Sequence, residues 1–199
     1  MKLVELAPVP VFDLPIAQLR EYLRLGTGFA DDTLQDTVLE AALRGALDAI
    51  EARTGKVIFE RPFRWTVSAW RSPAVQALPM APVTAITAVS LISPTGGVTP
   101  VQLSDLVLEE DTHRPLLHPA GMSLPMIPVR GRAEVTFNAG FGATWAEIPA
   151  DLSQAVLLLA AHFYDTRHEG SLHDGNMPFG VCTLIERYRT VRILGGAGA

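Results

Sequence analysis

The sequence predicts an α+β protein: a helical bundle of two N-terminal and two C-terminal helices, interrupted by an antiparallel β-rich insert. Three observations carry that reading. Ten of the fifteen prolines, from Pro62 to Pro128, fall between Lys56 and Ile148. Proline lacks the backbone N–H and its ring strikes the preceding turn, so this stretch is strand and loop. On either side, leucine-rich stripes recur at spacings of three and four, the period of an α-helix. Within the stretch, Phe63, Trp65, Val67 and Ala69 alternate with Arg64, Thr66, Ser68 and Trp70, the period of a half-buried strand.

The first helix is expected to begin at Pro15, a favoured first-turn position, with Ile16, Leu19 and Leu23 on one face and Gly26 and Gly28 beyond its end. The second starts after Asp31 and Asp32, whose carboxylates suit free backbone amides. It carries Leu39, Leu43, Leu47 and Ile50 as one stripe and stops at Thr54-Gly55. The insert is expected to continue with VTAITAVSLI from Pro82-Val83, a turn at Ser93 to Gly97, strands over Val101–Leu108 and Arg114–His118 around the acidic turn Glu109-Glu110-Asp111, and a last strand, Ala133–Asn138, running into Ala139-Gly140-Phe141-Gly142. A third helix follows from Pro149 to Arg167 with Leu152, Ala155, Val156, Leu159 and Phe163 on its apolar side and Asp151 in its first turn. Pro178 opens a fourth, carrying Val181, Leu184, Ile185 and Tyr188. One domain over 1–199 is expected, with helices over about 15–25, 33–54, 149–167 and 178–189 and the insert over about 57–142.

A chain of 199 residues buries about 70% of its unfolded surface, enough for a real core. Hydrophobic residues make up 48% and charged residues 19%, an apolar balance that subunit contacts explain. No apolar run reaches the roughly 18 residues of a membrane helix, and the N-terminus, with one Lys and breaks at Pro8 and Pro10, does not read as a signal peptide. Cys182 is the only cysteine, so no intrachain disulfide forms and a reducing cytoplasm suits the chain. The net charge of −5 argues against a protein held on duplex DNA by phosphate contacts. Of the 16 basic residues only Lys2 and Lys56 are lysines. That bias fits either interface use of arginine or a codon preference.

The motifs of enzyme chemistry are missing. There is no nucleophile elbow, phosphate-binding glycine loop or HExxH, and a turn explains Gly140-Phe141-Gly142 without a phosphate. The nearest approach to a metal set is His162, Asp165, His168 and His173. It matches no zinc spacing, and His–Asp groups at a helix end more often serve as solvated caps. It defines the alternative reading, a small metal-dependent enzyme; the expectation is no enzyme, no cofactor and no metal. Cys182, near a helix start, is expected to be a buried structural thiol. Trp65 and Trp70 lie on opposite faces of one strand, so one of them, or Trp145, is a plausible contact residue. In ERYRTVRIL, Arg187, Arg189 and Arg192 intersperse with Tyr188, Val191 and Ile193. This reads either as a solvated helix end or as a helix running into an edge strand open to a partner.

The ordered set of LREYLRL, DDTLQDTVLEAALRGALDAIEARTGKVI, RWTV, APVTAITAVSLI, VTFNAGFG, IPADLSQAVLLLAAHFYDTRHEG and MPFGVCTLIERYR, spread over nearly the whole chain, resembles the head–tail connector, or adaptor, proteins of long-tailed phages. That group includes the HK97-type connector and its prophage relatives, and such rings also occur in gene transfer agents. The resemblance implies a ring subunit of twelve copies, assembled in the bacterial cytoplasm and placed in the particle neck below the portal. Such a ring continues the DNA channel and receives a stopper or tail-terminator protein. It implies portal contact by the C-terminal segment, hence Arg187, Tyr188, Arg189, Val191, Arg192 and Ile193. A channel through which DNA slides should not grip phosphates, which suggests Glu109, Glu110 and Asp111, or the acidic start of the second helix, Asp31, Asp32 and Asp36, as channel-facing residues. The β insert departs from relatives that are almost all helix.

Overall fold

The computed structural model describes residues 1–25, 32–167 and 177–189. The fold is α+β, and the chain divides into a β unit, residues 1–15 and 56–149, and a helical unit, residues 16–55 and 150–199.

In the β unit, strands β1 (Lys2–Glu5), β2 (Arg61–Val67), β4 (Val83–Ile92), β5 (Val98–Val101) and β8 (Arg132–Ala139) form an antiparallel sheet in the order β1-β2-β8-β4-β5. Strands β3 (Gln76–Ala77), β6 (Leu106–Glu109) and β7 (Leu116–Pro119) form a second sheet, β3-β7-β6. The alternation foreseen in β2 is real: Phe63, Trp65 and Val67 are buried while Arg64 is exposed. Their partners across the ladder are Phe137, Val135 and Ala133, all fully buried. Leu78, Leu117 and Leu124 join the same apolar cluster, so one core serves both sheets.

Three features of this unit depart from the sequence expectation. The N-terminal strand β1 was not anticipated; it pairs with β2 from Lys2↔Thr66 to Glu5↔Phe63, and Glu5 clamps its end through Arg61 at 2.9 Å. The strand expected over 101–108 is broken by a 3-10 turn at Leu103–Asp105, which passes the chain from β5 in one sheet to β6 in the other. The alternation also stops at Val67, so Trp70 is not on an opposite strand face. It lies beyond the strand, half-buried, its indole N–H donating to the Pro125 carbonyl at 2.7 Å.

The Gly140–Gly142 corner is fixed by close backbone approach. A Cβ at Gly140 would lie 2.3 Å from the Glu60 backbone, and one at Gly142 would lie 2.4 Å from Cβ of Glu147. Here Glu60 N–H donates to the Gly142 carbonyl and Phe141 N–H to the Ile58 carbonyl. The Glu147 carboxylate accepts from the amides of Ala143 and Thr144 at 2.8 and 3.0 Å. The glycine corner is closed by its own backbone, as a turn requires.

In the helical unit, α1 (Ile16–Tyr22), α2 (Asp32–Thr54), α3 (Ala150–Thr166) and α4 (Phe179–Ile185) form the bundle, and a 3-10 turn, Glu186–Tyr188, follows α4. The stripe Leu39, Leu43, Leu47 and Ile50 is buried, as are Leu152, Ala155, Val156 and Leu159 of α3 and Val181 and Ile185 of α4. Helix α2 packs along α3, with Gly45 beneath the Phe163 ring. Arg20 of α1 pairs with Asp36 of α2. No described helix is long and apolar enough to cross a membrane.

Candidate functional site

The last described turns of the chain are fastened to α3 by one carboxylate. Asp151, in the first turn of α3, accepts from its neighbour's amide, Leu152 N–H, at 3.0 Å and from the Tyr188 hydroxyl at 2.8 Å. Its other oxygen pairs with Nε of Arg187 at 2.8 Å. The Arg187 guanidinium also lies over the Tyr188 ring, 4.7 Å from its centroid, and hydrogen-bonds the phenol oxygen. A carboxylate in the first turn complements the helix dipole, and two charge-assisted partners make it a strong local anchor.

This changes the standing of the expected portal-contact residues. Tyr188 is 4% exposed: it is an internal post rather than an exposed anchor. Arg187 keeps an exposed guanidinium, and Arg189, paired with Glu186 at 3.0 Å, is exposed as well. Val191, Arg192 and Ile193 lie outside the described residues. Burial is the largest influence on the Tyr188 phenol and pushes its pKa up, with the bond to Asp151 acting in the same direction and Arg187 opposing. The hydrogen bond to Tyr188 holds the Arg187 guanidinium above its usual value.

The acidic candidates separate by what they touch. Asp31 and the side chain of Asp32 lie outside what is described, and Asp36 is paired with Arg20. Glu109 pairs with His118 across the β6–β7 hairpin at 2.7 Å. Asp111 accepts from the amides of His113 and Arg114 at 2.6 Å each. These bonds, the Arg114 one foremost, hold its carboxyl below the usual range. Glu110 is exposed. Lys56, far from Asp111 in sequence, is buried; burial pushes its ammonium pKa down, with the Asp111 charge opposing.

The metal-like set is not assembled among the described residues, where no group of three or more His, Cys, Asp or Glu side chains converges. His162 and Asp165 are exposed on α3, and His168 and His173 lie outside the described residues. Cys182 is half-buried rather than buried, its thiol facing the Met177 carbonyl at 3.5 Å. Trp65 is core, and Trp145 stacks on Phe59 with centroids 6.0 Å apart.

No family model matches the chain, and no curated protein matches it. Solved structures do. A chain from the neck of an empty gene transfer agent particle, computed with sixfold symmetry, is 50% identical over 100% of both chains, with a TM-score of 0.90. A chain from the virion of a native gene transfer agent particle is 50% identical over 98% of this chain and 99% of that one, at 0.86. A third, from the neck of a native particle computed with twelvefold symmetry, is 45% identical over 100% of both, at 0.84. At that identity and coverage, the similarity defines a structural component of a phage-like particle. The chain belongs to the gene transfer agent neck-protein family, and its place is the virion neck.

Proposed function

We propose that this chain is a head–tail adaptor of the HK97-type connector class, one subunit of a ring seated beneath the portal that continues the DNA channel toward a stopper or tail-terminator protein. The observation that carries the reading is full-length similarity, at 45–50% identity, to neck chains in assemblies of sixfold and twelvefold symmetry. A ring of twelve accommodates both symmetries. The role is mechanical, a joint between container and tail, with no catalytic step.

The portal-facing surface in this reading begins at the exposed guanidinium groups of Arg187 and Arg189 and continues through Val191, Arg192 and Ile193. Tyr188 contributes by aiming that segment from its anchorage on Asp151. Of the acids suggested for the channel wall, Asp36, Glu109 and Asp111 already have intramolecular roles, which leaves Glu110 as the described carboxylate best suited to face passing DNA. Deleting the gene in a producing strain tests the reading. Filled, tailless heads are expected by electron microscopy, restored to tailed particles by the wild-type gene; normal tailed particles from the deletion strain would overturn it.

A further inference from the structure

The two sheets of the β unit present four outer strands: β1 and β5 on the larger, β3 and β6 on the smaller. Outer strands carry unpaired backbone donors and acceptors, and proteins normally blunt them. Two of the four are blunted by proline or by a length of two residues. Strand β3 is only two residues long, and Pro100 removes a donor from the four residues of β5. Strands β1, KLVE, and β6, LVLE, are four residues each and contain no proline. Among the described residues, no strand covers the outer edge of either.

These two edges also complement each other in face and in charge. In β1, Leu3 turns toward the core and packs against it, while Lys2 and Val4 are exposed. In β6, Leu106 and Leu108 pack against the core, and Val107 and Glu109 are exposed. An antiparallel pairing that overlaps all four residues sets Lys2 opposite Glu109, Leu3 opposite Leu108, Val4 opposite Val107 and Glu5 opposite Leu106. The inward Leu3 and Leu108 then meet, the ammonium meets the carboxylate, and Glu5, held by Arg61, ends the ladder beside Leu106. A parallel pairing of all four places the exposed Lys2 opposite the inward Leu106 and reverses every face, because side chains alternate with a period of two. It also sets Glu5 against Glu109, like charges directly opposite.

Both edges belong to the same chain, and a ring is built from heterologous contacts in which one surface of a subunit meets a different surface of the next. We propose that β1 of one copy pairs antiparallel with β6 of its neighbour, with Lys2 against Glu109, so that the smaller sheet of each subunit is extended by the next subunit's first strand. The occupant of each edge is a second copy of this chain. The inference rests on the ring reading above and adds the contact that closes the ring. Glu109 retains His118 as an intramolecular partner and gains the lysine on the side away from its own hairpin.

Cysteine cross-linking in particles tests it. In an antiparallel ladder, opposed Cα atoms lie about 4.5–5.5 Å apart, inside the disulfide range of about 4.4–6.8 Å. In a Cys182→Ser background, Val4→Cys with Val107→Cys is expected to give, after mild oxidation, a ladder of covalent multimers that reduction collapses, while each single variant stays monomeric. A double variant that enters particles and stays unlinked overturns the pairing, as does cross-linking by either single variant. A charge exchange guards against a folding defect. Lys2→Glu is expected to lower the amount of chain in particles, and adding Glu109→Lys is expected to restore it; failure of restoration counts against the contact. Wild-type chain absent from purified particles overturns the neck reading itself, whereas wild-type chain present beside an unlinked double variant overturns the strand pairing alone.

Discussion

The Tyr188 hydroxyl donates to Asp151 Oδ1 at 2.8 Å across 37 positions of sequence, tying the last described turn of the chain to the first turn of α3. The bond is shielded, because Tyr188 is buried. The last described turn of the chain is thereby held at a fixed point on the helical unit.

Removing that hydroxyl, Tyr188→Phe, is expected to lower stability by about 1 kcal/mol, the net worth of one hydrogen bond. Asp151→Ala is expected to cost more, since it takes the acceptor from the buried phenol and also removes the Arg187 ion pair. Thermal unfolding followed by circular dichroism orders the two; equal stability of Tyr188→Phe and wild type would show that the bond contributes nothing.

The same contact carries a pH signature. Burial raises the folded-state pKa of Tyr188 above its ordinary value of 10.0, so the unfolded chain loses this proton first. Its stabilising contribution is therefore complete below pH 10 and is lost as pH rises through the higher folded value. The Tm gap between wild type and Tyr188→Phe is expected to be constant from neutral pH to about 9 and to shrink above 10. A gap that widens there contradicts the assignment.

At the corner after β8, Gly140→Ala is expected to destabilise by about 3 kcal/mol, because the new methyl would meet backbone atoms that hold β2's approach and cannot swing aside. Gly121→Ala, at a position with nothing within 4 Å of the added carbon, is the matched control and is expected to stay within about 0.5 kcal/mol of wild type. Denaturant titration of both variants compares them directly.

Truncation separates anchorage from docking. A chain ending at Arg189 retains Tyr188 on Asp151 and is expected to melt like the full chain, yet to give heads without tails. A chain ending at Glu186 loses the post and is expected to melt several degrees lower. Tailed particles from the first truncation would remove the docking role from Val191, Arg192 and Ile193.

The helical unit was legible because its signal is local and periodic: Leu39, Leu43, Leu47 and Ile50 announce one buried face whatever packs on it. So was β2, where Phe63, Trp65 and Val67 alternate with polar neighbours. Strand β1 was missed because KLVE is four residues long, is followed by Pro8 and Pro10, and owes its conformation to Phe63–Thr66, some sixty positions away. The continuous strand expected over 101–108 failed for a related reason: hydropathy does not say which of two sheets receives a residue. Asp151 was recognised as a dipole partner in the first turn, which is a local property. Its second role, receiving Tyr188 and Arg187, depends on where α4 returns, and no spacing rule contains that.

The chain leaves the helical unit at Gly55, completes most of a second unit, and re-enters at Ala150, while residues 1–15 also belong to that second unit. Segment 56–149 on its own therefore lacks β1, and the Arg61 guanidinium would lose Glu5 while keeping its bond to the Phe59 carbonyl. The minimal fragment that reproduces the β unit is discontinuous in the gene, and a rearranged chain joining 1–15 to 56–149 by a linker is the form in which it can be produced apart from its helices.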